Sequence, residues 1–369
     1  MSAKIREQLF RSAGTLVVKI GTNALSLDSG MLDRERISRL SREIAELRDD
    51  GRSVVVVSSG AIGAGLAELG MSERPTTLPE LQAAASVGQG KLIGAYDECL
   101  QSKGYHAGQV LLTREDFDDR QRYLNARNTL RALLRLGAVP VINENDTISI
   151  DEITFSDNDV LSVLVASLVK ADALIMLSTI PGLCDGEDVL DVVPEINDEA
   201  RRLVSGATSS GGVGGMESKL EAAYMACRAG IPTVIADGRE EHVIRRIVGG
   251  EKLGTLFLAA EEKLSSRKGW IGMAAKPKGT IAIDAGAVRA VRERGKSLLA
   301  SGIVQVDGEF RKGDVVGITG DGSEVARGLT NYSSDELQRI KGLKSNQIAK
   351  ALGSKPYDEV VHRDNMLLL

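Results

Sequence analysis

Six short apolar runs, none of them alternating in polarity, recur through the first two-thirds of this chain and restrict the folds open to it. They are TLVVKI (15–20), SVVVVSS (53–59), QVLLT (109–113), AVPVIN (138–143), ALIMLS (173–178) and PTVIA (232–236). Runs this short, rich in Val and Ile, read as strands buried on both faces. Helical patterns lie between them. Ile37, Leu40, Ile44 and Leu47 share one helix face, with Asp33 as a cap before it and Gly51 as a stop after it. Segments 119–136 and 157–169 read as further helices. Such alternation predicts an α/β unit over 12–260, an open and mostly parallel sheet sandwiched by helices.

The pattern changes near residue 260. EEKLSSRKGWIG and AKPKG read as a linker over 261–278. Beyond it come the strand candidates GTIAID (279–284), IVQVDG (303–308), DVVGITG (314–320) and EVARGLT (324–330), punctuated by Gly308, Gly313, Gly320 and Gly322. Helical stretches near 285–294 and 333–351 flank them. A small β-rich pseudo-barrel with a C-terminal tail is expected over 279–369.

Several function classes lose support here. The formal charge of −5 argues against nucleic-acid binding driven by net charge. Cys99, Cys184 and Cys227 have no metal-binding spacing, and an odd count of cysteines fits a reducing cytoplasm. The three histidines are scattered, so no protein metal site is expected. No apolar run approaches about 18 residues, so a cytoplasmic protein without a membrane span is expected. Gly295-Lys296-Ser297 resembles the end of a P-loop, but position 290 is Ala, and no dinucleotide fingerprint is present.

Three motifs carry chemistry. VVKIGT (17–22) puts Lys19 at the end of an apolar strand, with Gly21 allowing a ligand to approach the backbone. Taken alone, Lys19 is equally a snorkelling lysine. NENDTISIDEITFSDND (143–159) crowds Asn143, Asn145, Asp146, Asp157, Asn158 and Asp159 beyond a buried strand, at the sheet edge where ligands bind in open α/β folds. Its amides and carboxylates suit the ammonium and carboxylate of an amino acid, or simply a polar loop. GGVGGMESK (211–219) runs a glycine loop into a helix and places Lys219 in its first turn, where a cation is unfavourable without an anion beside it. SSGAIGAG (58–65) adds N–H and hydroxyl donors at Ser59 and Gly60, or only a tight turn. Two lysines, a glycine loop and an acidic cluster together match the needs of phosphoryl transfer.

VVKIGT, SSGAIGAG, LLT…NARNTL, VPVINEND, SDND and GGMESK, in this order, resemble the bacterial glutamate 5-kinases of the amino acid kinase superfamily. WIGMAAKPKGTIAIDAGA and the strand-rich remainder are similar to the PUA domain that many of them carry. The resemblance implies the amino acid kinase fold and ATP-dependent phosphorylation of the γ-carboxylate of L-glutamate to L-glutamyl 5-phosphate, the first step of proline biosynthesis. ATP is then a substrate and Mg²⁺ its companion ion. Lys19, Lys219 and Asp159 take the catalytic positions, and Ser59, Asp146 and Asn158 the glutamate-binding ones. Lys19, Ser178, Thr179 and the run Val213, Gly214, Gly215, Met216, Glu217, Ser218 and Lys219 match the nucleotide site. Proline as a feedback inhibitor acting near 144–157, glutamyl phosphate reductase as a pathway partner and a homo-oligomer are also implied. The chain departs from the family at Thr179 and Cys184, where an acidic residue and a tyrosine are usual.

Two alternatives stay open. One is another phosphotransferase of the same superfamily. The other is an RNA-binding protein acting through its PUA domain, for which Lys276, Lys278, Arg289, Arg292, Arg294, Lys296, Arg311 and Lys312 supply charge but few aromatics accompany them.

Overall fold

In the computed structural model, residues 2–27, 31–71, 73–148, 157–205, 213–260, 277–320, 322–353 and 357–369 are described. The chain divides into two compact units, Met1–Lys263 and Leu264–Leu369. The linker expected at 261–278 falls outside the described residues apart from Pro277 and Lys278.

All six apolar runs of the first unit form strands. They are β1 (Thr15–Ile20), β2 (Ser53–Ser58), β3 (Ala107–Leu112), β4 (Val139–Glu144), β5 (Ala173–Ser178) and, after three strands of two residues each (β6, Cys184–Asp185; β7, Asp188–Val189; β8, Val192–Val193), β9 (Thr233–Asp237). A further short strand, β10, spans Thr255–Phe257. The main sheet runs β3-β4-β2-β1-β5-β9-β10-β8. It is parallel from β3 to β9; β10 runs antiparallel to β9, and β8 pairs parallel with β10. The chain fills the β2 side of β1 first and then crosses to place β5 on its other side. The order therefore reverses beside β1, and a binding crevice is expected at the strand ends there.

Helices cover the sheet: α1 (Ser2–Ser12), α2 (Arg34–Asp49), α3 (Ala61–Glu68), α4 (Leu78–Gln101), α5 (Glu115–Asp118), α6 (Arg120–Arg135), α7 (Asp157–Val169), α8 (Asp198–Ser205), α9 (Val213–Arg228) and α10 (Val243–Val248). Helix α2 begins where the cap residue predicts: the Asp33 carboxylate accepts from the Arg36 N–H at 2.9 Å. Its Ile37, Leu40, Ile44 and Leu47 bury against Val54, Val56 and Val18 in one aliphatic core. The run QVLLT differs from expectation. As an edge strand β3 has one sheet neighbour, and most of its residues stay partly exposed.

The first and last helical stretches also depart from the sequence expectation. Helix α1 was not anticipated. It is held by Arg6, which is fully buried. Its Nε donates to Asp191 Oδ1 at 2.8 Å, and Nη2 donates to the carbonyls of Asp191 and Gly254, each at 2.7 Å. One guanidinium thus ties α1 to the β8–β10 edge.

The second unit contains β11 (Gly279–Ile283), α11 (Ala285–Arg292), β12 (Ile303–Gly308), β13 (Val315–Gly320), β14 (Ser323–Thr330), α12 (Ser334–Ile340), α13 (Ile348–Leu352) and β15 (Val361–Leu368). Its sheet order is β12-β11-β13-β14-β15. Ile281, Val316, Ile318, Tyr332, Leu337 and Ile340 form its core. The helix expected over 333–351 is interrupted, because Gly342 takes φ 76° just past α12 and stops it. Strand β15, unforeseen, pairs with β14. Among the described residues no helix is long and apolar enough to cross a membrane.

The Arg6 clamp gives a stability test. Arg6→Ala strands buried carbonyls and a carboxylate partner, so unfolding free energy should fall by about 3 kcal/mol. Urea denaturation of the whole chain measures this; a loss below about 1 kcal/mol would mean that α1 is held by packing alone.

Candidate active site

Strand alternation decides where Lys19 points. Leu16, Val18 and Ile20 enter the core on one face of β1, so Lys19 emerges on the other, where α7 packs against β1. The first turn of α7 carries Asn158 and Asp159. Lys219 reaches the same point from α9, which packs on α7.

These three side chains meet. Lys19 Nζ lies 2.5 Å from Asp159 Oδ1, and Lys219 Nζ lies 3.2 Å from Asp159 Oδ2. Ser218 Oγ also donates to Oδ2, at 3.1 Å, and Lys219 Nζ donates to the Gly215 carbonyl at 2.8 Å. Relative exposure is 4% for Lys19, 1% for Asp159 and 9% for Lys219, so the charges interact with little screening by water. Burial is the largest influence on Lys19 and lowers its pKa; Asp159 opposes that, while Lys219 lowers it further. Burial likewise pushes the Asp159 carboxyl up, but the two ammonium groups together outweigh it and hold its pKa below the ordinary value. Two cations on one carboxylate leave a unit of positive charge at the strand ends, suited to an anion.

An amide network adjoins the triad. Asn158 Nδ2 donates to Ser59 Oγ at 2.8 Å and to Asn143 Oδ1 at 3.0 Å. Asn143 Nδ2 donates to Gln89 Oε1 at 3.4 Å. Asn158 Oδ1 is buried and has no hydrogen-bond partner among the described residues. Sequence inspection passed over Gln89, which lies on the equally unforeseen α4. The small residues Ala84, Ala85 and Gly88 at helical spacing were the available sign of a close helix crossing.

Two expectations need correction. The Ser59 N–H is not open to a ligand, because it donates to the Ile20 carbonyl at 3.0 Å and joins the ends of β1 and β2. Its hydroxyl is the group that faces the network. Gly60 follows with φ 103°, a turn that favours glycine. Nor does Lys219 sit in the first turn of its helix. Helix α9 begins at Val213, so Lys219 is in the second turn, beyond the reach of the macrodipole, and is stabilised instead by Asp159 and the Gly215 carbonyl.

The remaining expected residues take these places. Val213, Gly214, Gly215, Met216, Glu217, Ser218 and Lys219 are the first seven residues of α9. Ser178 ends β5, and its Oγ accepts from the Ile180 N–H at 3.0 Å. Thr179 follows, its carbonyl accepting from Arg239, which also forks onto Asp237 at 2.6 Å. Asp146 stands in the turn after β4, half-buried. Most of the 144–157 segment, and Gly211 and Gly212, lie outside the described residues.

Known proteins resemble the chain along nearly all of it. The amino acid kinase family matches residues 14–237 and the PUA domain residues 279–352. A protein of Thermoanaerobacter sp. (strain X514) named glutamate 5-kinase is 46% identical over 362 residues, 96% of this chain and 97% of that one. Another so named, from Moorella thermoacetica, is 47% identical over 365 residues, 97% of each. One from Geobacter sp. (strain M21) is 44% identical over 373 residues, 99% of this chain and 100% of the other.

The triad predicts a pH signature. In Asp159→Asn the Lys19 ammonium loses its main attraction, so its pKa in the folded chain falls further below the unfolded value of about 10.4. Above that lowered pKa the unfolded chain binds more protons than the folded one, and stability rises with pH. The variant should be about 3–5 kcal/mol less stable than its parent at neutral pH. The gap should narrow toward about pH 9. A gap that stays constant or widens in denaturation series would show that Lys19 does not depend on Asp159.

Proposed function

The chain belongs to the amino acid kinase family and carries a PUA domain, and we propose that it transfers the γ-phosphoryl group of ATP to the γ-carboxylate of L-glutamate. The observation that carries this reading is the buried Lys19–Asp159–Lys219 triad at the carboxyl ends of the sheet strands. Product L-glutamyl 5-phosphate opens proline biosynthesis, as the name of the relatives implies.

The chemistry asks little of the protein beyond position and charge. A γ-carboxylate, with a pKa of about 4.3, is already ionised near pH 7. Its oxygen attacks the γ-phosphorus, the bond to the ADP oxygen breaks, and no proton moves, so no general base is needed. Lys19 and Lys219 neutralise charge on the phosphoryl oxygens as the two oxygens exchange. Asp159 pairs with both ammonium groups and holds them in place, so little reorganisation accompanies the reaction. Ser59, Asn158 and Asp146 bind glutamate, with Asn158 Oδ1 an acceptor for its ammonium. Ser178, Thr179 and residues 213–219 border the nucleotide. Mg²⁺ is expected to travel with the phosphates. The described residues hold no group of three or more acidic, histidine or cysteine side chains suited to a metal, and no step here relies on one.

Proline shares the backbone carboxylate and nitrogen of glutamate, and we extend the reading to feedback inhibition at the acceptor site. The acyl phosphate product calls for a reductase that consumes it, and a homo-oligomer is the expected assembly.

Incubation with Mg-ATP and a panel of amino acids, trapping product with hydroxylamine, tests the assignment. L-glutamate should yield a hydroxamate; turnover of aspartate or carbamate without glutamate would overturn it. Within the site, Lys19→Ala and Lys219→Ala should each lower kcat by about 10²–10³ with modest change in glutamate KM. Asp146→Ala should instead raise glutamate KM. Near-normal kcat in both lysine variants would remove them from the reaction.

A further inference from the structure

We propose that Gln89 is a positioning residue for the acceptor amino acid: it sets the sense of the Asn143–Asn158 amide relay, and so turns the Asn158 carbonyl oxygen toward the substrate ammonium. This rests on the site being that of an amino acid kinase.

A primary amide has a donor end and an acceptor end, and an ammonium can be met only by the acceptor. Asn158 sits between Ser59 and Asn143, and its Nδ2 serves both, at 2.8 and 3.0 Å. Its Oδ1 is left without a partner among the described residues. That sense holds only while Asn143 offers its own oxygen to Asn158. The Nδ2 of Asn143 is directed at Gln89 Oε1, 3.4 Å away, while Gln89 Nε2 is buried with no partner among the described residues. Gln89 is thus the far end of the relay. Remove its oxygen, and Asn143 Nδ2 loses the acceptor that orients it. Both amides are then free to turn, and Asn158 would present N–H groups to the substrate ammonium.

The backbone beneath Gln89 is built to hold it there. Its chain neighbour Gly88 lies against α3: a Cβ at Gly88 would stand 1.8 Å from the Ala61 carbonyl oxygen and 2.4 Å from the Gly65 nitrogen. A Cβ at Gly65 would stand 1.7 Å from the Ala84 carbonyl oxygen. Helices α3 and α4 therefore meet backbone to backbone at this point. About two turns further along α4, Tyr96 is fully buried and its hydroxyl lies 3.0 Å from Ser58 Oγ, at the end of β2. The height of α4 above the strand ends is set from both sides of Gln89.

The test compares full-length Gln89→Met, which removes the acceptor, with Gln89→Glu, which keeps one for Asn143. L-glutamate is the acceptor, and glutarate, which lacks the ammonium, is the competitive inhibitor. Gln89→Met should raise glutamate KM about tenfold or more. Its kcat, nucleotide KM and glutarate inhibition constant should stay within about twofold, and Gln89→Glu should recover most of the KM. In an Asn158→Ala background the Gln89→Met effect should largely vanish. Equal losses for glutamate and glutarate, an unchanged KM, full persistence in that background, or a Gln89→Glu variant as impaired as Gln89→Met would each overturn the proposal. If Gln89→Met does not fold, Gln89→Glu decides by its KM. Should the wild-type protein ignore glutamate, the function reading fails separately, and the comparison is made with the amino acid it does phosphorylate and that acceptor's deaminated analogue.

Discussion

Asp159 accepts two lysines at once, and the site depends on that double contact. Burying an ammonium is costly, and burying two beside each other is worse. One carboxylate between them makes the arrangement tolerable without cancelling it. The remaining positive charge is what an anionic phosphoryl group would meet. Desolvation lowers the Lys19 pKa, and the neighbouring carboxylate opposes that shift.

The scaffold exists to bring that carboxylate and those lysines to one point. Lys19 comes from β1 and Asp159 from the first turn of α7. Lys219 comes from α9, sixty residues further along the chain. Parallel strands align their carboxyl ends on one edge, and the reversal of strand order beside β1 opens a crevice there. Backbone bonds then lock the edge: Ser59 N–H to Ile20, Gly21 N–H to Leu177 and Gly238 N–H to Ser178. The loops that carry polar side chains are thereby fixed to strands.

Much of this was legible before any coordinates. Buried parallel strands announce themselves because both faces are apolar, and TLVVKI, SVVVVSS and ALIMLS could be read directly. Lys19 was visible as a charge at the end of such a run, and Asn158 and Asp159 as a cluster after another. What escaped notice was α4. Its alanines and glycines make a weak amphipathic pattern, since a helix that touches its neighbour by backbone needs no large apolar residues. Gln89 was missed with it. QVLLT looked as buried as its fellows because composition does not distinguish an edge strand from a central one.

The sequence by itself determined the class of fold, the six longer strands of the main sheet and the residue types of the site, because those follow from local periodicity and side-chain chemistry. Only the tertiary structure decided that Ser59 spends its N–H on Ile20 and that Lys219 belongs to the second turn of its helix. It also decided which amide ends pair within the network. These outcomes depend on contacts between residues far apart in the chain, and in a desolvated site a distance of about 3 Å determines which charge prevails.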